Sequence, residues 1–338
     1  MNDTLADGVA ADTKEVATSI PTTRILLALI RRELWEHRAL WMVPLVISAL
    51  LLIAATLTRV GSGDFGQIPF GPMKWNPAQA SDALATERTA GIAMYGIRQF
   101  MLSVPLGLAV TVMLYFYLLS SLFDERKDRS ILFWKSLPVS DGATVASKLL
   151  VALVVVPLGV CVVALVTNLL YAAIWDARIA LGVLHGPAFI WDAVAWLKVE
   201  GLLLSLVIVS MLWYAPIAAY LLLISAWARR NAFLWAILPP LILSIVERVA
   251  FGTTYFIRAF MYRLGGIWGT VGLNHTLGDA FAGAMLNTPH GRLIYLPAVL
   301  DALPVRDLFA NIGLWTGLVV AAALAYATVR VRRYRDDT

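Results

Sequence analysis

The chain has 338 residues, 60% of them hydrophobic and 14% charged, with a net charge of +5. A soluble globular chain carries roughly 25% charged residues, so the composition excludes an ordinary soluble domain and points to a polytopic helical membrane protein. The 27 Lys and Arg residues flank apolar runs and form no single patch, which argues against a nucleic-acid partner.

Residues 1–20 are polar and acidic, with no apolar stretch followed by a cleavage site. They read as a disordered cytoplasmic tail, not a signal peptide. Residues 21–40 read as an amphipathic helix lying in the membrane interface, with Pro21 at its start. Leu26, Leu27, Ile30, Leu34 and Trp41 share one face, while Arg32 and Glu36 fall on the other. Arg24, Arg31 and Arg38 recur every seven residues along its flank, towards lipid headgroups.

Six spans follow within residues 41–329, each an apolar run near the roughly 20 residues that cross a bilayer core. They are Trp41–Thr58, Phe100–Phe123, Leu149–Trp175, Gly201–Ala228, Asn231–Phe251 and Leu308–Val329. The fifth carries Pro239 and Pro240 in mid-run. These remove two backbone donors, so a kink and a hinge are expected there. Asn168 in the third span is expected to hydrogen-bond a neighbouring helix. The 12 tryptophans suit aromatic belts at both interfaces.

With the N-terminus inside, more than half of the 27 basic residues fall in inside segments. Both termini, including the tail at 330–338, are therefore expected in the cytoplasm. Three outer loops remain, at 59–99, 176–200 and 253–307. The last is too aromatic for a linker and reads as short helices packed on the outer face, dipping towards the membrane. Glu247 and Arg248 at its edge read as a local ion pair.

The segment 124–148, between the second and third spans, is the most informative stretch. Alternating charges (Asp124, Glu125, Arg126, Lys127, Asp128, Arg129) precede an apolar-aromatic patch of Ile131, Leu132, Phe133 and Trp134, then Pro138. A mere connector does not need Phe133 and Trp134, so the hairpin reads as a docking piece for a soluble partner, with the charges from Glu125 to Arg129 as a steering rim. Ser140 and Asp141 are placed to cap the helix that becomes the third span. Arg229 and Arg230, in the second cytoplasmic turn, are a second candidate contact. No P-loop signature occurs, and the four histidines and Cys161 make no metal-ligand spacing, so neither a nucleotide site, a cofactor site, a metal site nor a catalytic residue is expected in this chain.

This stretch resembles the permease subunits of type-2 ABC exporters. Their motif after the second span has the form E-R-x-x-x-(T/S)-x-x-x-L-x-x-x-P-(V/I)-(S/T), followed by a lysine leading into the third span. Here Glu125, Arg126, Ser130, Trp134, Leu137, Pro138, Val139, Ser140 and Lys148 occupy those positions, with Trp134 departing from the usual aliphatic residue. The resemblance covers about residues 21–335. It implies an all-α, six-span permease of the bacterial inner membrane that carries amphiphilic cargo outwards: a lipid, a hydrophobic peptide or an antibiotic. It also implies a coupling helix in the hairpin, docked on a separate cytoplasmic ABC ATPase that binds the ATP, and a second permease copy or homologue as dimer partner. Ser130, Ile131, Phe133, Trp134, Leu137 and Pro138, with Glu125 and Arg126, are the implied docking residues. The alternatives are a membrane-embedded hydrolase or lipid transferase, which needs paired carboxylates or metal ligands at depth, and a secondary transporter, which needs repeats and a coupling acid.

Overall fold

The computed structural model describes residues 22–57, 80–128, 139–183, 193–265, 283–288, 291–302 and 311–334. Six of its helical segments are long and apolar enough to cross a membrane, so the chain is a multi-pass helical membrane protein.

Helix α1, Thr22–Glu36, ends at a short break at His37 and Arg38, after which α2, Ala39–Leu57, forms the first span. The second is α3, Ala80–Ser120, which turns at Ser121 and Leu122 into the short α4, Phe123–Lys127. Helix α5, Asp141–Leu150, passes through a π-helical turn at Val151–Val155 into α6, Val156–Ala180. Then come α7, Ala193–Trp227; α8, Ala232–Phe251; and the short α9, Tyr255–Leu264. Strands β1, Met285–Thr288, and β2, Gly291–Ile294, precede α10, Leu296–Ala302, and α11, Ile312–Tyr334.

Helix α7 is the axis. It is apolar all round, as a helix without a solvent face must be, and half of its most apolar stretch is buried, against 11–28% for the other five spans. Helix α11 lies along it, and α3, α6, α8 and α9 also touch it. Buried alanines at 215, 218, 219 and 226 allow this close approach. The largest apolar cluster, which includes Leu40, Tyr117, Leu122, Val151 and Leu222, lies towards the end that holds the beginning of α1 and the end of α11. That end is termed proximal below.

The opposite, distal end adds one small strand pair to the otherwise helical chain. Strands β1 and β2 pair antiparallel, Met285 opposite Ile294 and Thr288 opposite Gly291. The hairpin and α10 cover the distal half of α7 through Val199, Leu202, Ala284 and Val299. The outer loops are also shorter than expected. Helix α3 begins at Ala80, well before Phe100, and α6 runs to Ala180. Hence Gln99 and Glu200, the last residues of the outer segments 59–99 and 176–200, are helical neighbours, with the Gln99 amide donating to the Glu200 carboxylate. Asn168 is buried, and among the described residues neither amide atom finds a hydrogen-bond partner, so the expected interhelical bond is not seen there.

Glu247 does not pair with Arg248 among the described residues. Its carboxylate accepts from the Tyr255 and Phe256 amides at 2.6 and 2.8 Å and from Thr253 Oγ1 at 2.7 Å. It thereby satisfies the orphan donors at the start of α9. Helix α9 then turns back towards the middle of α7. There the Arg263 guanidinium stacks on the Trp213 ring, 4.4 Å from its centroid, and donates to the Gly313 carbonyl of α11. A Cβ on Gly317 would stand 2.6 Å from Arg263 Cζ. Gly317→Ala is therefore expected to swing this guanidinium aside and destabilise the protein by about 1 kcal/mol, through its lost ring contact and hydrogen bond. Thermal unfolding in detergent checks this against Gly159→Ala, whose new methyl meets nothing within 4 Å; equal midpoints for the two variants would rule out the clasp.

Helix α8 runs unbroken through Pro239 and Pro240. Proline 240 cannot donate to the Ala236 carbonyl one turn back. The Tyr220 hydroxyl of α7 donates to that carbonyl instead, at 3.0 Å. The proline site is thus satisfied by a neighbouring helix. Beyond it, Leu241, Ile245, Val249 and Phe251 of α8 are exposed.

Candidate functional site at the base of the charged hairpin

Of the expected docking residues, Ser130, Ile131, Phe133, Trp134, Leu137 and Pro138 lie outside the described residues, as does Arg129. The two ends of the hairpin are described, and they enter a buried ion network that sequence reasoning did not foresee.

Lys148 is its centre. It is fully buried, one residue pair before the π-helical turn, and its Nζ lies 2.8 Å from Glu33 Oε1 and 3.1 Å from Glu125 Oε1. Arg332 of α11 lies 2.7 Å from Glu125 Oε2 through Nη1 and 3.0 Å from Asp141 Oδ1 through Nε. Arg32 of α1 is 3.3 Å from Glu125 and 2.7 Å from Glu36. The Tyr117 hydroxyl of α3 donates to Glu33 Oε2 at 2.9 Å. The four buried members, Glu33 and Glu125 against Lys148 and Arg332, balance in charge, while Arg32 and Asp141 are half-buried and Glu36 is exposed. Balance is the condition under which burying four ions is tolerable, since each costs several kcal/mol to desolvate alone.

Local rules explain how the sequence delivers these groups. Ser140 Oγ accepts from the Ala143 amide at 3.1 Å, the expected N-cap, which starts α5 so that Asp141 falls in its first turn and Lys148 two turns on. Ser225 Oγ of α7 accepts from the Leu122 and Phe123 amides, at 3.0 Å each, and so fixes the corner between α3 and α4. Arg126 donates to the Ser225 and Ala228 carbonyls, both at 2.7 Å, at the negative end of the α7 dipole. With α4 held there, Glu125 turns inward.

The charged rim inferred from Glu125 to Arg129 therefore needs correction. Asp124, Lys127 and Asp128 are exposed, but Glu125 is only 7% exposed and Arg126 is spent on α7. Their partners lie inside the bundle. The polar face assigned to α1 is corrected too. Glu33 is its most buried side chain, and Arg32 turns towards Glu125, whereas Leu27 and Trp35 are exposed. Sequence offered one signal for this: Glu33 sits between Ile30 and Leu34, on the side of α1 that packs against the core. Arg229 and Arg230 are exposed, in the turn where Asn231 adopts a left-handed conformation with φ 49°.

His37 closes the network, 3.9 Å from Glu33 and edge-on to Tyr117 at 4.9 Å. Burial holds its imidazole below the ordinary value, against the opposing pull of the Glu33 carboxylate. It is neutral at pH 7 and leaves the charge balance undisturbed.

Among the described residues no His, Cys, Asp and Glu side chains gather in a group suited to a metal ion. The network is a structural joint. It ties both ends of the hairpin, at Glu125 and Asp141, to α1 and to the last span through three basic side chains. No protein-family model, curated protein or solved structure matches this chain.

Proposed function

We propose that this chain is the permease subunit of an ATP-driven type-2 ABC exporter, with its proximal end in the cytoplasm. The observation that carries the reading is the joint at the hairpin. A hairpin that only reverses the chain needs no buried anchor. One that must pass force from a soluble partner to the spans needs rigid attachment at both ends, to more than one helix. Glu125 and Asp141 have that attachment through Arg332, and Lys148 extends it to α1. The first glutamate and the last lysine of the exporter-like motif are thus in direct contact. Glu200 pairs with Gln99 in the distal half of the bundle, and among the described residues no second carboxylate or histidine pairs with it for a hydrolase to use. The apolar, weakly covered surface of α8 suits a second copy, with the cargo path beside it, and an apolar wall suits an amphiphile.

The test is purification from native membranes, without crosslinker, followed by identification of bound proteins and measurement of ATP hydrolysis. A separate ATPase carrying a P-loop, in a complex with two permease copies, is expected. A lone monomer that binds no ATPase would refute the proposal.

A further inference from the structure

We infer that the exposed side of α1 carries a binding site for the phosphate of an anionic membrane phospholipid. An open groove of about 680 Å³ lies there, walled by Leu27, Arg31, Arg32, Trp35, Glu36 and Arg38. Its charges are unequal in use. Arg32 is shared between Glu36 and Glu125, and Glu36 is thereby neutralised. Arg31 and Arg38 are exposed and face no carboxylate within ion-pair distance among the described residues. Two uncommitted guanidinium groups in one groove offer forked donors that match phosphate oxygens.

The apolar side chains decide which phosphate. Leu27 is 66% and Trp35 63% exposed on a helix that leads directly into the first span. In water that exposure would be costly. At a membrane surface, leucine enters the acyl boundary and tryptophan sits at headgroup level. A soluble phosphate would use the arginines and leave both side chains unexplained, so a glycerophospholipid, phosphate on Arg31 and Arg38 and acyl chains along Leu27 and Trp35, is the one occupant that uses the whole groove. Through Arg32 a bound lipid would stand one side chain away from Glu125 and the hairpin joint. The inference does not depend on the exporter reading, since lipid binding is read without a partner or a cargo.

The experiment uses the full chain in phosphatidylcholine nanodiscs doped with phosphatidylglycerol, with retained lipid counted by native mass spectrometry after gentle release. Preferential retention of phosphatidylglycerol is expected. Arg31→Gln with Arg38→Gln should weaken it about 30-fold, at roughly fivefold per charge near a lipid surface. Arg31→Lys with Arg38→Lys should keep most of it. Arg229→Gln with Arg230→Gln removes the same charge from another exposed proximal turn and should change little. All four side chains are exposed, so an unchanged thermal midpoint is expected and certifies the fold. Equal loss in both glutamine pairs would reduce the effect to general surface charge and overturn the site. So would retention of phosphatidylcholine equal to phosphatidylglycerol, or full displacement by millimolar inorganic phosphate, which would indicate a soluble anion as the ligand.

Discussion

Lys148→Met is expected to destabilise the protein by about 3–5 kcal/mol, the usual cost of removing one member of a buried ion group. The methionine fills most of the space of the lysine stem, so the loss is one of charge and not of volume. It leaves Glu33 and Glu125 buried side by side, with Glu33 holding, among the described residues, the Tyr117 hydroxyl and His37. Glu33→Gln added to Lys148→Met should recover at least half the loss. The amide carries no charge, its oxygen can still accept from Tyr117, and Glu125 retains Arg332 and Arg32. Unfolding of the detergent-solubilised protein measures both. A single variant as stable as the parent, or a double variant less stable than the single, would show that the lysine is not the keystone of the joint.

If the proposed ATPase partner docks on this patch, Phe133→Ala with Trp134→Ala is expected to abolish its binding while leaving insertion and stability intact. Two aromatic side chains buried in a partner contribute roughly 2–3 kcal/mol each, so the pair should lower affinity by about three orders of magnitude. Arg332→Gln should act differently. It frees both hairpin ends from the last span without touching the aromatic patch, so the ATPase should still bind but no longer respond to cargo. Binding by pull-down and cargo-stimulated ATP hydrolysis separate the two effects. Normal complex formation by the aromatic double variant would sink the docking idea, and normal stimulation in Arg332→Gln would sink the transmission idea.

Much of the fold was legible. Six apolar runs became six long helices, because span length and apolarity are properties of contiguous residues. Ser140 capped α5 as expected, because an N-cap needs only its own next turn. The misreadings share one cause. Gln99 and Glu200 read as the ends of outer loops because the apolar runs begin after them; a neighbour on another helix satisfies each and allows the helix to continue. The β-hairpin at 285–294 was missed because four-residue strands carry too little pattern to stand out. Proline 240 promised a break, and a tyrosine from α7 supplied the missing donor.

The sequence by itself determined the membrane class, the number of spans, the helix starts with local caps, and the presence of a charged hairpin bearing an aromatic patch. Only the tertiary structure decided which charges face water. Arg332 and Glu125 are 207 residues apart, and Arg332 and Asp141 are 191 apart. A charge in isolation favours solvent by several kcal/mol, so reading along the chain places every one of them outside. Burial becomes favourable only when opposite charges from α1, α4, α5 and α11 arrive at one point with their lone pairs and protons matched. That condition belongs to the packed bundle, and no window of sequence contains it.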